Sequence, residues 1–208
     1  MVRRGTSQLP GVTWGVAGRA LPSEATSGDS WMVAPSAFGV CLAVIDGLGH
    51  GQEAAFAATL AASVLRAHPD DPIEQLIGRC HEALIGTRGV VMSLAVLDCQ
   101  EQTMTWLGVG NVQAVLFRAN PTIDCVGERL VVPGGVVGSH LPPARTSQRA
   151  LRPGDTLILA TDGIHERFAD TPPRAGDPQR VADRILADYG LAIDDALVLV
   201  ARFLGIER

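Results

Sequence analysis

The sequence predicts an α+β fold in which antiparallel sheets pack face to face with helices outside them. Two helical patterns lie in the middle of the chain, at 52–68 and about 72–85, and a third lies near its end, at 177–189. Apolar runs joined by short turns surround them, and such runs are typical of antiparallel strands. Two central helices, one late helix and strand meanders around them together indicate this class.

Length and composition favour a single domain covering residues 1–208. A chain of 208 residues has the length of one ordinary domain, and 47% hydrophobic residues are enough for a sizeable core. The longest apolar runs fall far short of a membrane span. No apolar segment follows the two arginines near the start, so the sequence predicts the cytoplasm and no membrane partner.

Charge and cysteine usage exclude several classes of function. The net charge is −5 and the basic residues are scattered, which argues against a nucleic-acid partner. All 17 basic residues are arginine, and the absence of lysine excludes Schiff-base chemistry and a P-loop. No Cys-x-x-Cys pair occurs, so we expect no zinc or redox site. Cys41 and Cys80 lie among apolar neighbours and are expected in the core.

The first third of the chain predicts strands separated by a polar loop. Residues 11–19 alternate as a half-buried strand does. Residues 21–30 form a loop with Gly and Pro, and 31–35 indicate a short strand or its remnant. Residues 38–45 are continuously apolar, which predicts a strand buried on both faces.

Two helices follow this strand. The segment 52–68 is rich in alanine, which predicts close packing against a sheet. Its larger apolar residues recur at helical spacing: Phe56, Leu60, Val64 and Leu65. The second helix, about 72–85, begins with Pro72, a residue suited to the first turn of a helix.

After Gly89 the apolar period changes from helical to strand-like. Residues 90–97, 103–109 and 112–117 predict three consecutive strands. The turns between them are five and two residues long, so we expect an antiparallel meander. Weaker strand patterns follow near Cys125 and at 130–132.

The last third returns to strand, helix and strand. A stretch rich in Gly and Pro at 133–143 precedes a turn at 153–155. Residues 156–160 predict a strand, 177–189 a helix with Pro178 near its start, and 196–203 a strongly apolar final strand.

Asp46 stands at the mouth of the buried strand 38–45. Three glycines follow it within five residues, and a helical pattern begins directly after Gly51. A carboxylate in such a place is costly unless a positive group meets it. A metal ion would meet that need.

Three further acids share this setting. Asp162 follows a strand and precedes a glycine, Asp194 and its neighbour Asp195 directly precede the last strand, and Asp29 follows Gly28. Mg²⁺ and Mn²⁺ prefer carboxylate, carbonyl and water ligands. A single Asp-Gly after a strand is more often only a turn, but the conjunction of these acids favours one metal site, with the Gly47 carbonyl as an additional ligand.

The ordered motifs resemble those of PPM/PP2C-type serine/threonine phosphatases, in particular the bacterial SpoIIE-like branch. The resemblance covers roughly residues 11 to 204, and Gly108-Val-Gly-Asn111 is similar to a Gly-rich hairpin of that family. The Asp-Gly-x-Gly-His-Gly form and the small size are most similar to the stressosome feedback phosphatases of this branch. The other matching segments are Ser27-Gly28-Asp29, Asp46-Gly-Leu-Gly-His-Gly51, 151–163 and Asp194-Asp195.

The resemblance implies a PP2C-like α-β-β-α sandwich, with two antiparallel sheets flanked by helices and a binuclear Mn²⁺ or Mg²⁺ site at one end. It implies that Asp46 bridges the two ions and that the Gly47 carbonyl binds one of them. The remaining implied ligands are Asp29, Asp162 and Asp194, with Asp195 as the alternative to Asp194.

The implied reaction removes phosphate from phosphoserine or phosphothreonine by attack of metal-activated water. Asp46 and His50 are the catalytic candidates. His50 is a candidate general acid that protonates the leaving alkoxide. A metal-bound water is the other candidate for this proton transfer, and His50 would then only shape the turn between two glycines. The implied substrate is a phosphorylated STAS-domain protein of a bacterial stressosome, and the expected state is a monomer.

Departures from the family pattern leave two alternatives open. Eukaryotic relatives have a phosphate-binding Arg upstream of paired acids, whereas here Asp29 has no acidic neighbour and Arg19 lies upstream at no motif spacing. Leu48 stands where those relatives have His, and Leu197 stands where the final motif has Thr. Because this Thr is missing and Asp29 stands alone, one alternative is a scaffold of the same fold with a degenerate site. The other is a GHKL-type ATP-binding protein, because Asp46-Gly-Leu-Gly-His-Gly51 resembles a nucleotide loop, although no Asn precedes it.

Overall fold

The computed structural model describes residues 2–120, 127–173 and 176–205, and side chains from Gln8 onwards. Eleven strands and three helices form in this part of the chain. The strands are β1 Val2–Leu9, β2 Val12–Arg19, β3 Asp29–Ser36, β4 Gly39–Gly47, β5 Val90–Asp98, β6 Thr103–Val109, β7 Gln113–Phe117, β8 Glu128–Arg129, β9 Ser147–Ala150, β10 Thr156–Ala160 and β11 Ala196–Phe203. The helices are α1 Gln52–Ala67, α2 Ile73–Leu84 and α3 Pro178–Tyr189, and a short 3₁₀ helix lies at Glu166–Asp170.

Two antiparallel sheets face each other across a shared apolar core. The first has the order β1-β2-β11-β10-β7-β8, and the second has the order β3-β4-β5-β6-β9. Helices α1 and α2 cover the outer face of the second sheet, whereas α3 covers that of the first. The predicted α-β-β-α sandwich is therefore confirmed.

Strand β4 shows why a continuous apolar run was needed. Val40, Leu42 and Val44 point into the core between the sheets. Their neighbours Cys41, Ala43 and Ile45 pack under α1 and α2. Because successive side chains of a strand point to opposite faces, a strand covered on both faces needs apolar residues throughout.

The predicted meander is correct for two strands and wrong for the third. Strands β5 and β6 pair as antiparallel neighbours. Strand β7 instead joins the other sheet, between β10 and β8. Gly110, with φ +96°, begins this crossing, and its N–H bonds to the Pro133 carbonyl. Both sheets face one apolar core, so the apolar pattern of β7 fits either sheet and turn length does not decide between them.

Other differences are confined to short or edge strands. The structure adds β1, which forms a hairpin with β2, and β9, which pairs with β6. The segment 130–132 is not a strand, and Cys125 lies outside the described residues. Cys41 and Cys80 are buried as expected. No helix in the described ranges has the length and apolar character needed to cross a membrane.

Gly15 allows α3 to lie directly on β2. A Cβ at this position would lie 2.3 Å from the Gln179 nitrogen and 2.4 Å from its Cα. We expect Gly15→Ala to lower the free energy of unfolding by about 1–3 kcal/mol in urea denaturation, because backbone atoms must move. Gly78→Ala in α2 is the control, since no atom lies within 4 Å of its added Cβ. That change should stabilise the protein by about 0.5–1 kcal/mol, and equal effects would contradict this account.

Candidate metal centre

The second sheet brings two acids together at one end. Asp29 of β3 and Asp46 of β4 are direct partners in the antiparallel ladder. The Gly47 N–H donates to the Gly28 carbonyl at 3.2 Å, which holds the two strand ends together. The chain then leaves the sheet and enters α1 after Gly51.

The first sheet brings two more acids to the same end. Asp162 follows β10 and Asp194 precedes β11, and these strands are antiparallel neighbours. Asp46, Asp162 and Asp194 line one open cleft of about 430 Å³. The residues lining it are Leu21, Asp46, Leu48, Gly49, His50, Val91, Gly110, Asn111, Gly134, Asp162, Ile193 and Asp194. Distant carboxylates are thus gathered by the pairing of strands within two sheets.

Asp29 lies beside this cleft without lining it. Its side chain is buried, and its Oδ2 accepts a hydrogen bond from Thr161 Oγ1 at 2.9 Å. The same hydroxyl accepts a bond from the Leu197 N–H at 2.9 Å, so Thr161 links the two sheets. The role of Asp29 as a metal ligand stays a prediction, and the structure places it as the cross-strand partner of Asp46.

The two adjacent acids Asp194 and Asp195 have different surroundings. Asp195 is buried, and its two oxygens accept the N–H groups of Leu21 and Gly28, each at 2.7 Å. Asp194 lines the cleft and accepts a bond from the Asp195 N–H at 2.8 Å. The geometry therefore favours Asp194 over Asp195 as the metal ligand. Asp195 instead stabilises the loop before β3 through its bonds to the backbone.

This difference predicts opposite outcomes for two alanine variants. Asp195→Ala leaves two N–H groups without their acceptor, so we expect a loss of about 2–4 kcal/mol in the free energy of unfolding. Asp194→Ala should leave thermal stability in EDTA unchanged or raised, because it removes one of several like charges. It should nevertheless weaken Mn²⁺ binding in calorimetry. Reversed effects would assign the ligand to Asp195.

His50 lines the cleft, and its ring is paired with Glu24, which does not line the cleft. It is 62% exposed at the side chain, and its Nδ1 lies 2.7 Å from Glu24 Oε1. The flanking residues Gly49 and Gly51 have φ of +86° and +76°, a region that favours glycine. Both the turn and the carboxylate partner therefore orient this ring.

Gly47 is required by helix packing. A Cβ there would lie 2.2 Å from the Ala54 carbonyl oxygen, so only glycine lets α1 approach the end of β4. The ligand role of the Gly47 carbonyl stays a prediction.

The acids raise one another's pKa values. Burial, followed by the charges of Asp162, Asp194 and Asp195, raises the pKa of Asp46 from 3.8 to about 7. Burial and the charge of Asp46 raise the pKa of Asp29. Burial and the charge of Asp194 likewise raise the pKa of Asp162. Among the described residues, no arginine lines the cleft to offset this charge.

The donor chemistry suits a hard divalent cation. The cleft offers carboxylate and amide oxygens, and close carboxylates are stabilised by a cation between them. In residues 2–120, 127–173 and 176–205, no three His, Cys, Asp or Glu side chains are already placed to hold an ion. The fit with Mn²⁺ or Mg²⁺ therefore rests on charge and donor type.

Sequence reasoning missed three polar residues of this region: Asn111, Thr161 and Glu24. The Asn111 Nδ2 donates to Asp162 Oδ2 at 2.8 Å, which partly offsets the increase in the pKa of that acid. Thr161 bridges Asp29 and β11, as described above. Both are polar residues at a strand end, the same signal that identified the acids, but neither is an acid. Glu24 has no comparable signal, because it lies in a polar loop.

The family comparison covers most of the chain. The family described as Stage II sporulation protein E (SpoIIE) matches residues 36–204. The stage II sporulation protein E of Priestia megaterium is 25% identical in an alignment of 219 positions that covers 92% of this chain and 36% of that protein. The phosphoserine phosphatase RsbX of Bacillus subtilis is 25% identical over 140 residues, 66% of this chain and 67% of RsbX. The chain thus spans about a third of the sporulation protein.

Solved structures share the fold over nearly the whole chain. One chain of a structure described as the bacterial stressosome, a modular system adapted to control secondary messenger signalling, has a TM-score of 0.83 at 27% identity. The match covers 92% of this chain and 99% of that one. RsbX in complex with magnesium has a TM-score of 0.82 at 19% identity, covering 97% and 100%.

A further structure shows the same fold with manganese. PstP is a serine/threonine phosphatase of Mycobacterium tuberculosis. The structure of the PstP catalytic domain in complex with two manganese ions has a TM-score of 0.71 at 17% identity. The match covers 93% of this chain and 98% of that one. These relatives include PP2C-type serine/threonine phosphatases with magnesium or manganese. From the family match, we conclude that the chain belongs to the SpoIIE family, and it shares the two-sheet fold of the PP2C phosphatase structures.

Proposed function

We propose that this PP2C-type phosphatase removes phosphate from phosphoserine or phosphothreonine of a regulatory protein. The observation that carries the proposal is the meeting of Asp46, Asp162 and Asp194 in one cleft, although they come from two sheets. A cleft lined by several carboxylates binds cations, and a phosphate ester enters it only when cations offset that charge. The arrangement therefore supports metal-dependent phosphoester hydrolysis.

The residues divide into ion-holding and proton-donating groups. Asp46, Asp162 and Asp194 would hold two Mn²⁺ or Mg²⁺ ions, with Asp29 and the Gly47 carbonyl as further ligands. Bound there, the ions would supply an activated water for attack on phosphorus and charge to offset the phosphoryl oxygens. The mutual repulsion of the acids supports this assignment.

His50 is the proposed proton donor to the leaving serine or threonine oxygen. Its ring lies in the cleft, and Glu24 engages Nδ1 at 2.7 Å. The Nε2 atom is then the nitrogen left for the substrate. A histidine fixed by a carboxylate on one nitrogen suits proton transfer at the other.

The proposed substrate is a phosphorylated STAS-domain protein of a stressosome, with the cytoplasm as the compartment. Support comes from similarity to the phosphoserine phosphatase RsbX and to a stressosome structure. The short segment after Asp162 also supports it, because 168–176 offers little chain for a substrate flap. Much of the docking surface would then come from the partner.

The test is hydrolysis of a phosphoserine peptide by the purified protein with added Mn²⁺. We expect phosphate release that depends on Mn²⁺ and stops with EDTA. A phosphorylated STAS-domain protein should be a better substrate than the peptide. No release under any of these conditions would refute the proposal.

A scaffold of the same fold remains the second candidate. Two observations favour it: Leu197 replaces a threonine of the family motif, and no three described acidic, His or Cys side chains are already placed to hold an ion. Calorimetry with Mn²⁺ separates the enzyme from the scaffold, because an enzyme should bind two ions per chain and a scaffold none.

The GHKL-type ATP-binding alternative is not supported, because the family match is to SpoIIE and the fold is that of the PP2C-type structures.

A further inference from the structure

Arg88 lies next to the acidic cleft, in the loop between α2 and β5, and lines a neighbouring groove with Glu53 and Phe56. Its Nε donates to Glu53 Oε2 at 2.6 Å, and its side chain is 46% exposed. Its Nη1 lies beside Gly49, which lines the cleft. The inner nitrogen is therefore paired with Glu53, and the outer part of the guanidinium lies beside Gly49.

Gly49 makes this close approach possible. A Cβ at this position would lie only 2.6 Å from Arg88 Nη1. The positive φ of +86° at Gly49 also disfavours any residue with a side chain. Glycine at 49 therefore serves two purposes, the turn after β4 and the position of the guanidinium.

The loop that carries Arg88 is tied to the loop that follows Asp46. The Leu48 N–H donates to the Gly89 carbonyl at 3.1 Å. Thr87 stabilises the loop through two hydrogen bonds. Its Oγ1 donates to the Leu84 carbonyl at 2.7 Å and accepts a bond from the Gly89 N–H at 3.0 Å. The backbone at 88 is therefore fixed relative to the acids.

The negative charge of the cleft explains why an arginine beside it would assist phosphate binding. Its described lining residues include several acids and no arginine, and the chain contains no lysine. A phosphate monoester carries about two negative charges near neutral pH. Cations held by the acids would face the inner phosphate oxygens, and an outer oxygen needs a separate donor. Guanidinium suits this task, because its N–H groups match phosphate geometry.

We propose that Arg88 binds the phosphate group of the substrate at the mouth of the cleft. The inference rests on the proposed phosphatase function and adds to it a substrate-binding residue. Arg88 is placed there by its ion pair with Glu53, by Gly49 and by the Leu48–Gly89 hydrogen bond.

The test compares Arg88→Gln with a matched control, Arg79→Gln. Arg79 is 45% exposed, and its Nε also donates to a carboxylate at 2.6 Å, that of Asp71. We expect Arg88→Gln to raise KM for a phosphoserine peptide about tenfold, with a smaller change in kcat. The inhibition constant of inorganic phosphate should rise by a similar factor. Arg88→Lys should give intermediate values, and Arg79→Gln should resemble the wild type.

Mn²⁺ affinity, measured by calorimetry, separates substrate binding from a structural role. It should be unchanged in Arg88→Gln, and its loss would overturn the inference. An unchanged KM together with unchanged phosphate inhibition would also overturn it, while leaving the phosphatase function intact. An inactive wild-type protein would instead refute the function on which the inference rests.

Discussion

Asp46→Asn is expected to lower the rate of phosphopeptide hydrolysis by more than about 100-fold. Loss of residues that merely orient ligands typically costs 10–100-fold, and Asp46 lies in the cleft itself, directly beside Asp29. An amide is neutral, so it holds a divalent cation far more weakly than a carboxylate. The measurement is phosphate release at saturating Mn²⁺, together with Mn²⁺ binding by calorimetry.

Asp98→Asn is the matched control. Asp98 also stands at the end of a strand, but it pairs with Gly39 at the opposite end of the same sheet. Its Oδ1 accepts the N–H groups of Gln100 and Glu101 in the turn, both at 2.8 Å. We expect this variant to keep its activity. Full activity in Asp46→Asn, or equal losses in both variants, would contradict the assignment of the metal centre.

In EDTA, the protein is expected to become less stable as pH rises from about 4 to about 7. Burial and neighbouring acids raise the pKa of Asp46 from 3.8 to about 7. The folded state therefore holds a proton that the unfolded chain releases across this window. The contribution to stability is fully present below about pH 4 and is lost as pH rises through the folded pKa. Asp29 and Asp162 act in the same direction.

Thermal unfolding scans at several pH values measure this effect. We expect the Tm in EDTA to fall by on the order of 5 °C between pH 5 and pH 7.5. Saturating Mn²⁺ should raise the Tm most at the higher pH, because bound cations stabilise the ionised acids. Asp46→Asn should reduce the slope. A Tm in EDTA that rises over this range would show that the acids are not crowded in the folded protein.

The sequence predicted the elements that fill the core and the acids that face the cleft. The strand 38–45 was found from its continuous apolar run, because burial on both faces demands that pattern. Asp46 and Asp162 were found because each ends a strand and precedes glycine. Edge strands such as β9 were missed, since half-exposed residues leave no such pattern.

The sequence by itself determined the class of fold, the boundaries of the main helices and strands, and which acids stand at strand ends. These properties depend on apolar period and local turn chemistry, which can be recognised within a few neighbouring residues. Only the tertiary structure decided that β7 joins the first sheet, that Asp195 binds backbone N–H groups while Asp194 lines the cleft, and that Arg88 lies beside Gly49. Such facts depend on contacts between distant segments, and the pairing of strands across two sheets sets those contacts.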